Sequence, residues 1–530
     1  MINWVALSVF IFFFLLVTVL GFIAARWRRG DLSLLNEWGL AGRRFGTTVT
    51  WFLLGGDLYT AYTFVAVPGL MYATGAQGFF AVPYTVLVYP LIYLLMPKFW
   101  SVCKQNNYVT PADFVQGRFG SSTLALVIAI TGIVATMPYI ALQMFGIEVS
   151  IAQMGVNVEV ALIIAFLILA AYTYSSGMRA PALIALVKDT MIFIVLFAAI
   201  IIIPIKLGGF GAIFAAAHQK AVITAAAAKV ATAAHKTPPT VFHDILSTSQ
   251  YLPYTTLAIG SALALFLYPH SLTGTLSSNS RTVVKRNAAL LPIYSLMLGL
   301  LALLGYMAIA AHVSLPKAYG SNAAVPALIS QMFPSWFAGF AFAAISIGAL
   351  VPAAIMSIAA ANLFTRNIYR VYFRPHYSDR EESNVAKITS LVVKFGALLF
   401  ILFVPTTYII NFQLLGGILI IQTLPAVFLG LYSNWFNRGA LIVGWAAGMI
   451  SGIWMFIAAN YSSVYMFNIG GQQFGIYSAV SSLVLNLVLV VIFTPIFRAA
   501  GMTSGKDNTR PADYEEEIPE KVEPLPEALG

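Results

Sequence analysis

The stretch Leu54-Gly55-Gly56-Asp57-Leu58-Tyr59-Thr60 lies inside an apolar run that extends from about residue 48 to residue 74. Each glycine lowers helix propensity by about 1 kcal/mol, and an aspartate deep in a bilayer is costly, so a helix built on this run is expected to part near its middle. Open backbone at that depth is tolerated only against protein or a cavity. Read from the inside outward, the inner half ends near Gly55 with free carbonyls that suit a cation. The outer half begins near Tyr59 with free N–H groups and a positive dipole end that suit a carboxylate. A structural alternative keeps the glycines for close helix packing and Asp57 as a cap of the outer half.

The rest of the chain makes the membrane setting unavoidable. Of 530 residues, 60% are hydrophobic and only 9% charged. A span needs about 20 apolar residues. Such runs fall near 4–25, 48–74, 79–97, 123–145, 157–175, 184–205, 252–269, 289–311, 336–364, 388–410, 413–432, 439–459 and 475–497, thirteen in all. With the N-terminus outside, the alternate loops beginning at Arg26, Lys98, Arg179, Arg281, Arg366 and Arg438, plus the tail, hold 22 of the 29 Lys and Arg. The opposite loops hold Lys206, Lys220, Lys229, Lys236 and Lys317. The positive-inside rule therefore gives N-terminus out and C-terminus in. The first run, too long for the core of a signal peptide and followed by basic residues, is a retained span.

A second break is expected in span seven, at Gly260-Ser261 and Phe266-Leu267-Tyr268-Pro269-His270. Pro269 has no N–H, so the carbonyl of Leu265 is released for a ligand or water. His270 either carries a proton or bonds the substrate, or makes a structural hydrogen bond. Breaks five spans apart, in helices of opposite direction, are the pattern of an inverted five-helix repeat with its site midway through the membrane. Residues 48–206 and 252–432 would form the repeats. Residues 1–47 and 433–498 would be peripheral, 207–251 an external loop carrying one amphipathic helix, and 499–530 a disordered acidic cytosolic tail.

Other classes fall away on composition. The net charge of +10 sorts by loop instead of forming a nucleic-acid face. One cysteine, Cys103, excludes an intramolecular disulfide and a thiolate metal cluster, and His218, His235 and His243 have no metal-ligand spacing. The deep ionisable residues are Asp57, Lys188, Asp189 and Lys394, too few and too clustered for the lateral proton relay of a respiratory-complex subunit, which stands as the alternative from a different class. No cofactor, no catalytic residue and no obligatory protein partner is expected. The polar residues Tyr59, Thr60, Tyr139, Gln143, Tyr268 and Gln422 could line a small cavity and orient a carboxylate, with Asp57 linking cation to substrate. Lys394 is close enough to the inner interface to snorkel to headgroups.

Gly55-Gly56-Asp57, Lys188-Asp189, Tyr268-Pro269-His270, Ala353-Ala354-Ile355-Met356-Ser357 and Leu415-Gly416-Gly417 through Pro425 together resemble the sodium:solute symporter family. Trp38-Gly39-Leu40-Ala41-Gly42-Arg43, Gly56 through Thr63, and Met137-Pro138-Tyr139-Ile140-Ala141-Leu142-Gln143 look like its bacterial monocarboxylate permease branch. The resemblance covers nearly the whole chain. It implies an all-α polytopic protein of the leucine-transporter type and a symporter in the bacterial inner membrane. The implied cargo is a small organic anion such as lactate, pyruvate, acetate or propionate, driven by a proton or sodium gradient. A sodium-coupled amino-acid or pantothenate carrier is the alternative. A sodium ion, if used, would be held by Gly55, Leu58, Ala354 and Ser357, with Asp189 as the family's span-six acid. Lys188 beside it would act on Asp189 or reach the cytosolic interface, adjacent helical residues pointing about 100° apart. The chain departs from the sodium-coupled pattern at Ile358, where most relatives place a second Ser or Thr.

Overall fold

A computed structural model describes residues 2–27, 30–237, 239–376, 378–403, 409–503 and 505–515. Its architecture is helical, with one small hairpin. Helices α1 (Trp4–Ile23) and α2 (Leu35–Leu40) precede α3 (Thr47–Leu58), where the first expected repeat begins. A π-helical turn, Tyr62–Ala66, leads into α4 (Val67–Thr74). Then come α5 (Ala81–Gln105), α6 (Pro111–Phe119), α7 (Ser122–Ala152), α8 (Val158–Ser176) and α9 (Arg179–Leu207). The external segment is α10 (Phe210–Ala233). The segment expected to form the second repeat holds α11 (Thr248–Leu265), α12 (Pro269–Leu276), α13 (Arg281–Leu290), α14 (Pro292–Ala310), α15 (Ala324–Met332), α16 (Ser335–Leu363), α17 (Asp379–Phe403), α18 (Ile409–Ile420) and α19 (Leu424–Val427). The outermost pair is α20 (Arg438–Ala458) and α21 (Ser478–Ala499), joined by strands β1 (Val464–Ile469) and β2 (Gln472–Tyr477).

Among the described residues, eleven helical stretches are long and apolar enough to cross a membrane, and α11 with α12, bent by 47°, makes a twelfth. The thirteenth expected span, 48–74, is broken into pieces. At about 1.5 Å per residue, the twelve residues of α3 reach only about 18 Å, well short of a ~30 Å hydrocarbon core. The end of the expected span 388–410 falls partly on residues 404–408, outside the described ones.

Side chains gather the loops onto two faces as the charge count requires. On the basic face Arg43 donates to Leu276 O (3.3 Å), Arg281 to Tyr514 O (2.8 Å) and Arg438 to Gly120 O (3.3 Å). On the opposite face Asn3 donates to Ser335 Oγ (3.1 Å), Lys206 to Met332 O (2.6 Å) and Lys220 to Tyr72 O (2.6 Å). The multi-pass topology thus has one strongly cationic, cytosolic side.

Two peripheral expectations change. The external helix α10 forms, but it buries only Ile213 and Ala217 and leaves Phe210, Phe214, Val222 and Val230 exposed. Its alanine-rich surface carries apolar residues all round, so it lacks the two-faced pattern of an amphipathic helix. The tail is not unstructured from residue 499 onward. Asn508 N donates to Gly117 O (2.8 Å), Arg118 pairs with Asp507, and Tyr514 is buried on α5 beneath Lys98. Opposite charges and one aromatic anchor supply what the segment's composition lacks. Residues 516–530 lie outside the described ones.

The core centres on α16, in which every residue from Phe337 to Leu363 is buried. Small side chains such as Ala353, Ala354, Ala359 and Ala360 let α7, α9 and α12 approach it closely.

Candidate functional site

The two breaks meet. At the first, Tyr59 N still donates to Gly55 O (3.1 Å), so α3 continues to Leu58 and the chain parts at Tyr59–Thr60, slightly later than the glycines suggested. Tyr59, at φ −87° and ψ 85°, has left the helix. The outer half restarts at Thr60. Thr60 N donates to Thr63 Oγ1 (3.0 Å), Tyr62 N to Thr60 Oγ1 (3.0 Å) and Ala61 N to Gln143 Oε1 (3.0 Å). The three leading N–H groups of the outer half are therefore capped by neutral oxygens. At the second break α11 ends at Leu265 and α12 begins at Pro269, where a missing N–H costs nothing because the first turn has no use for it.

Asp57 joins them. Its Oδ2 accepts from Ser271 Oγ (3.1 Å) and lies 3.6 Å from His270 Nε2, while Asp57 Oδ1 and His270 Nδ1 have no hydrogen-bond partner among the described residues. The three residues are buried. His270 packs edge-on against Tyr139 and tilted against Tyr268, with centroids 5.4 and 5.3 Å away. Beside these rings lies a narrow cavity of about 30 Å³, lined by Tyr62, Tyr84, Tyr139, Tyr268 and Tyr477 with Gln413. At 10–15 Å³ per water it holds about two waters, so the walls must part to admit a carboxylic acid of four to six heavy atoms.

Of the residues expected to contact substrate, Asp57, Tyr139, Tyr268 and His270 are brought together here, and Thr60 and Gln143 sit at the break as caps. Tyr59 and Gln422 lie elsewhere. Tyr59 turns to the opposite side of α3, into the ring cluster of Phe64, Phe193 and Tyr294, and donates to Tyr294 O (3.2 Å). Gln422 faces the outer pair: it donates to Ser482 Oγ (2.8 Å) and accepts from Asn486 Nδ2 (3.1 Å), a packing role against α21. Sequence reasoning missed Ser271, Tyr62, Tyr84 and Tyr477. Tyr62 lay within the quoted motif, but nothing local marked Tyr477, which arrives from residues far along the chain.

Behind the break stands a second polar cluster. Lys188 Nζ donates to Gly56 O (2.5 Å) and Tyr59 O (3.1 Å) and lies 3.1 Å from Asp189 Oδ1, while Asp189 Oδ2 accepts from Tyr294 Oη (2.7 Å). Both charged side chains are wholly buried. Lys188 therefore does not reach the cytosolic interface. Adjacent residues on one helix can still pair here because the long lysine arm bends back toward its neighbour's carboxylate. Lys394 does not snorkel either: it is buried, and its Nζ donates to Ser390 Oγ (2.7 Å), which donates to Ser357 Oγ (3.3 Å).

The expected sodium ligands do not compose an open coordination set. Sodium, like other hard cations, takes about five or six oxygens. Gly55 O is engaged by Tyr59 N, Ala354 O accepts from Ser357 Oγ (2.8 Å), and Leu58 is the last residue of α3. The position where a second hydroxyl would stand is Ile358, packed with Leu35, Trp38 and Ala361. The break carbonyls beyond Gly55 already hold an ammonium. The residues present do not fit the ion.

A bundle of membrane helices whose two interrupted spans converge on buried charge midway through the membrane defines a solute carrier. Residues 38–452 match the sodium:solute symporter family, and the chain belongs to it. It is 52% identical over 499 residues to a monocarboxylate transport permease protein of Rhizobium johnstonii, covering 94% of this chain and 98% of that one. It is 32% identical to the uncharacterized symporter YodF of Bacillus subtilis (93% and 94% covered) and 23% identical to the sodium/proline symporter of Escherichia coli (74% and 76%). A Na+-coupled sialic acid symporter, solved in a substrate-bound outward-open state, shares the fold at a TM-score of 0.71 and 16% identity, covering 93% and 98% of the two chains.

Proposed function

We propose that this symporter carries a small monocarboxylate inward together with a cation, by alternating access around the meeting point of the two breaks. The observation that carries the reading is Asp57 bonded to Ser271 and close to His270, whose ring packs on two tyrosines that line a narrow chamber. The similarity to the Rhizobium monocarboxylate permease supports the substrate class.

The substrate carboxylate has a natural berth at Ala61 N and Tyr62 N. Gln143 Oε1 and Thr60 Oγ1 occupy it here, and an anion displacing them would gain the dipole end of the outer half-helix. Tyr139 and Tyr268 then present hydroxyls to the second polar atom of a hydroxy- or keto-acid. Asp57 opposes an anion at close range, and a proton or cation accompanying the substrate relieves that repulsion. Binding and cation entry thereby become one event.

The test is uptake of radiolabelled lactate, pyruvate and acetate into proteoliposomes under an inward proton gradient and, separately, an inward sodium gradient. Accumulation above equilibrium that Asp57→Asn abolishes is expected. Undiminished accumulation by Asp57→Asn overturns the role given to that carboxylate. A zwitterionic substrate is the second reading, because the unpartnered Asp57 Oδ1 would also receive an ammonium. Competition by alanine or proline but not by acetate would favour it.

A further inference from the structure

We propose that Lys188 is a tethered cation that permanently fills the cation locus at the break of α3, so that this carrier works without sodium. The inference rests on the symport reading above and names what that reading leaves open, the ion.

Freed carbonyls at the end of a half-helix attract positive charge, and here the charge is part of the chain. Lys188 Nζ engages two carbonyls of the interrupted segment, those of Gly56 and Tyr59, and completes its surroundings with Asp189, itself held by Tyr294. Gly56 is required for this approach: a methyl group there would stand 2.9 Å from Lys188 Nζ and 3.2 and 3.3 Å from the two Asp189 oxygens. An ammonium in this position meets the needs of the carbonyls and of Asp189 at once, and a sodium ion beside it would face like charge in a low-dielectric interior. The other half of the expected sodium set is altered in the same sense. Ser357 is tied through Ser390 to the Nζ of Lys394, and Ile358 presents no oxygen. Two buried lysines and one isoleucine thus supersede a sodium ion's oxygens.

Sodium binding is measured on the purified carrier without substrate, by binding of radioactive sodium and by thermal unfolding in NaCl against choline chloride of equal strength. The wild type is expected to bind no sodium and to unfold at the same temperature in both salts. Saturable sodium binding, or a stabilisation specific to sodium, overturns the inference. In Lys188→Ala the carbonyls and Asp189 lose their partner, and sodium binding should appear, with unfolding then delayed by NaCl. Uptake in choline should fall at least about tenfold, as for truncation of one partner of a buried charge pair, and recover in part on adding sodium. A folded Lys188→Ala indifferent to sodium also overturns the inference. Should that variant not fold, Lys188→Met and the wild-type binding measurement decide. Because none of these binding readouts needs a transported solute, a wrong substrate class would show separately, as absence of carboxylate uptake in the wild type.

Discussion

Gly56 illustrates how one missing side chain makes room for a buried charge. Its missing side chain leaves room for the tip of a flexible lysine, so Gly56→Ala can be accommodated by swinging Lys188 aside, at the expense of its bonds to the break carbonyls. The expected result is a carrier whose thermal midpoint falls, because buried carbonyls and an ammonium are left unpaired, and whose initial uptake rate falls by an order of magnitude or more. Unfolding in detergent and uptake in liposomes measure the two separately. Tyr294→Phe acts on the same cluster from its other side. It removes the hydroxyl that donates to the buried Asp189, and a hydrogen bond to a charged group contributes about 1.5–3 kcal/mol, so the unfolding temperature should drop distinctly. The deep charges were legible in the sequence because each is anomalous in a bilayer. Their partners were not: Lys188 could be placed at its depth but not aimed, since a four-carbon arm reaches in any direction and the carbonyls it meets belong to a helix about 130 residues earlier in the chain.

At the scale of elements, the interrupted helices are where glycine and proline punctuation spoke most clearly, and both breaks occur within a few residues of their expected places. What punctuation cannot convey is who satisfies the open backbone. Gln143, on α7, caps Ala61 N, so Gln143→Ala should leave a buried N–H without its acceptor, a cost of about 1–3 kcal/mol, and destabilise the closed chamber. A lowered unfolding temperature together with a lowered KM for lactate, whose carboxylate no longer has to displace the amide oxygen, is the expected signature. The C-terminal segment is a second element whose order depends on distant partners. Arg118 holds Asp507 and Arg281 holds Tyr514 O, which keeps the exposed basic residues Lys506 and Arg510 against the cytosolic face. Arg118→Glu should therefore speed limited trypsin cleavage after Lys506, read by mass spectrometry; Arg510, followed by Pro511, is no trypsin site. Composition alone suggested an unstructured tail because it counts apolar residues and not the complementary charges waiting on another surface.

For the whole molecule, topology followed from counting lysines and arginines, because crossing a bilayer sorts charge before any packing begins. The prediction is direct. With the single native thiol, Cys103, buried, a membrane-impermeant maleimide applied to intact cells should label His235→Cys and leave Lys506→Cys unlabelled, with the reverse in inside-out vesicles. Labelling of both from one side would refute the arrangement. The outermost helices read from the sequence as mere periphery, since they fall outside the repeated unit. The hairpin between them changes that. Its two-residue Gly470-Gly471 turn, both residues at positive φ, folds β2 back so that Tyr477 is bonded to Leu414 O and Thr256 and forms one wall of the tyrosine chamber. The pair α20 and α21 thus works as a stopper bracket bolted to the outside of the vessel. A chain cut before residue 438 would keep its hinges and its charges but stand uncorked, passing solute downhill with no tie to the ion that should accompany it.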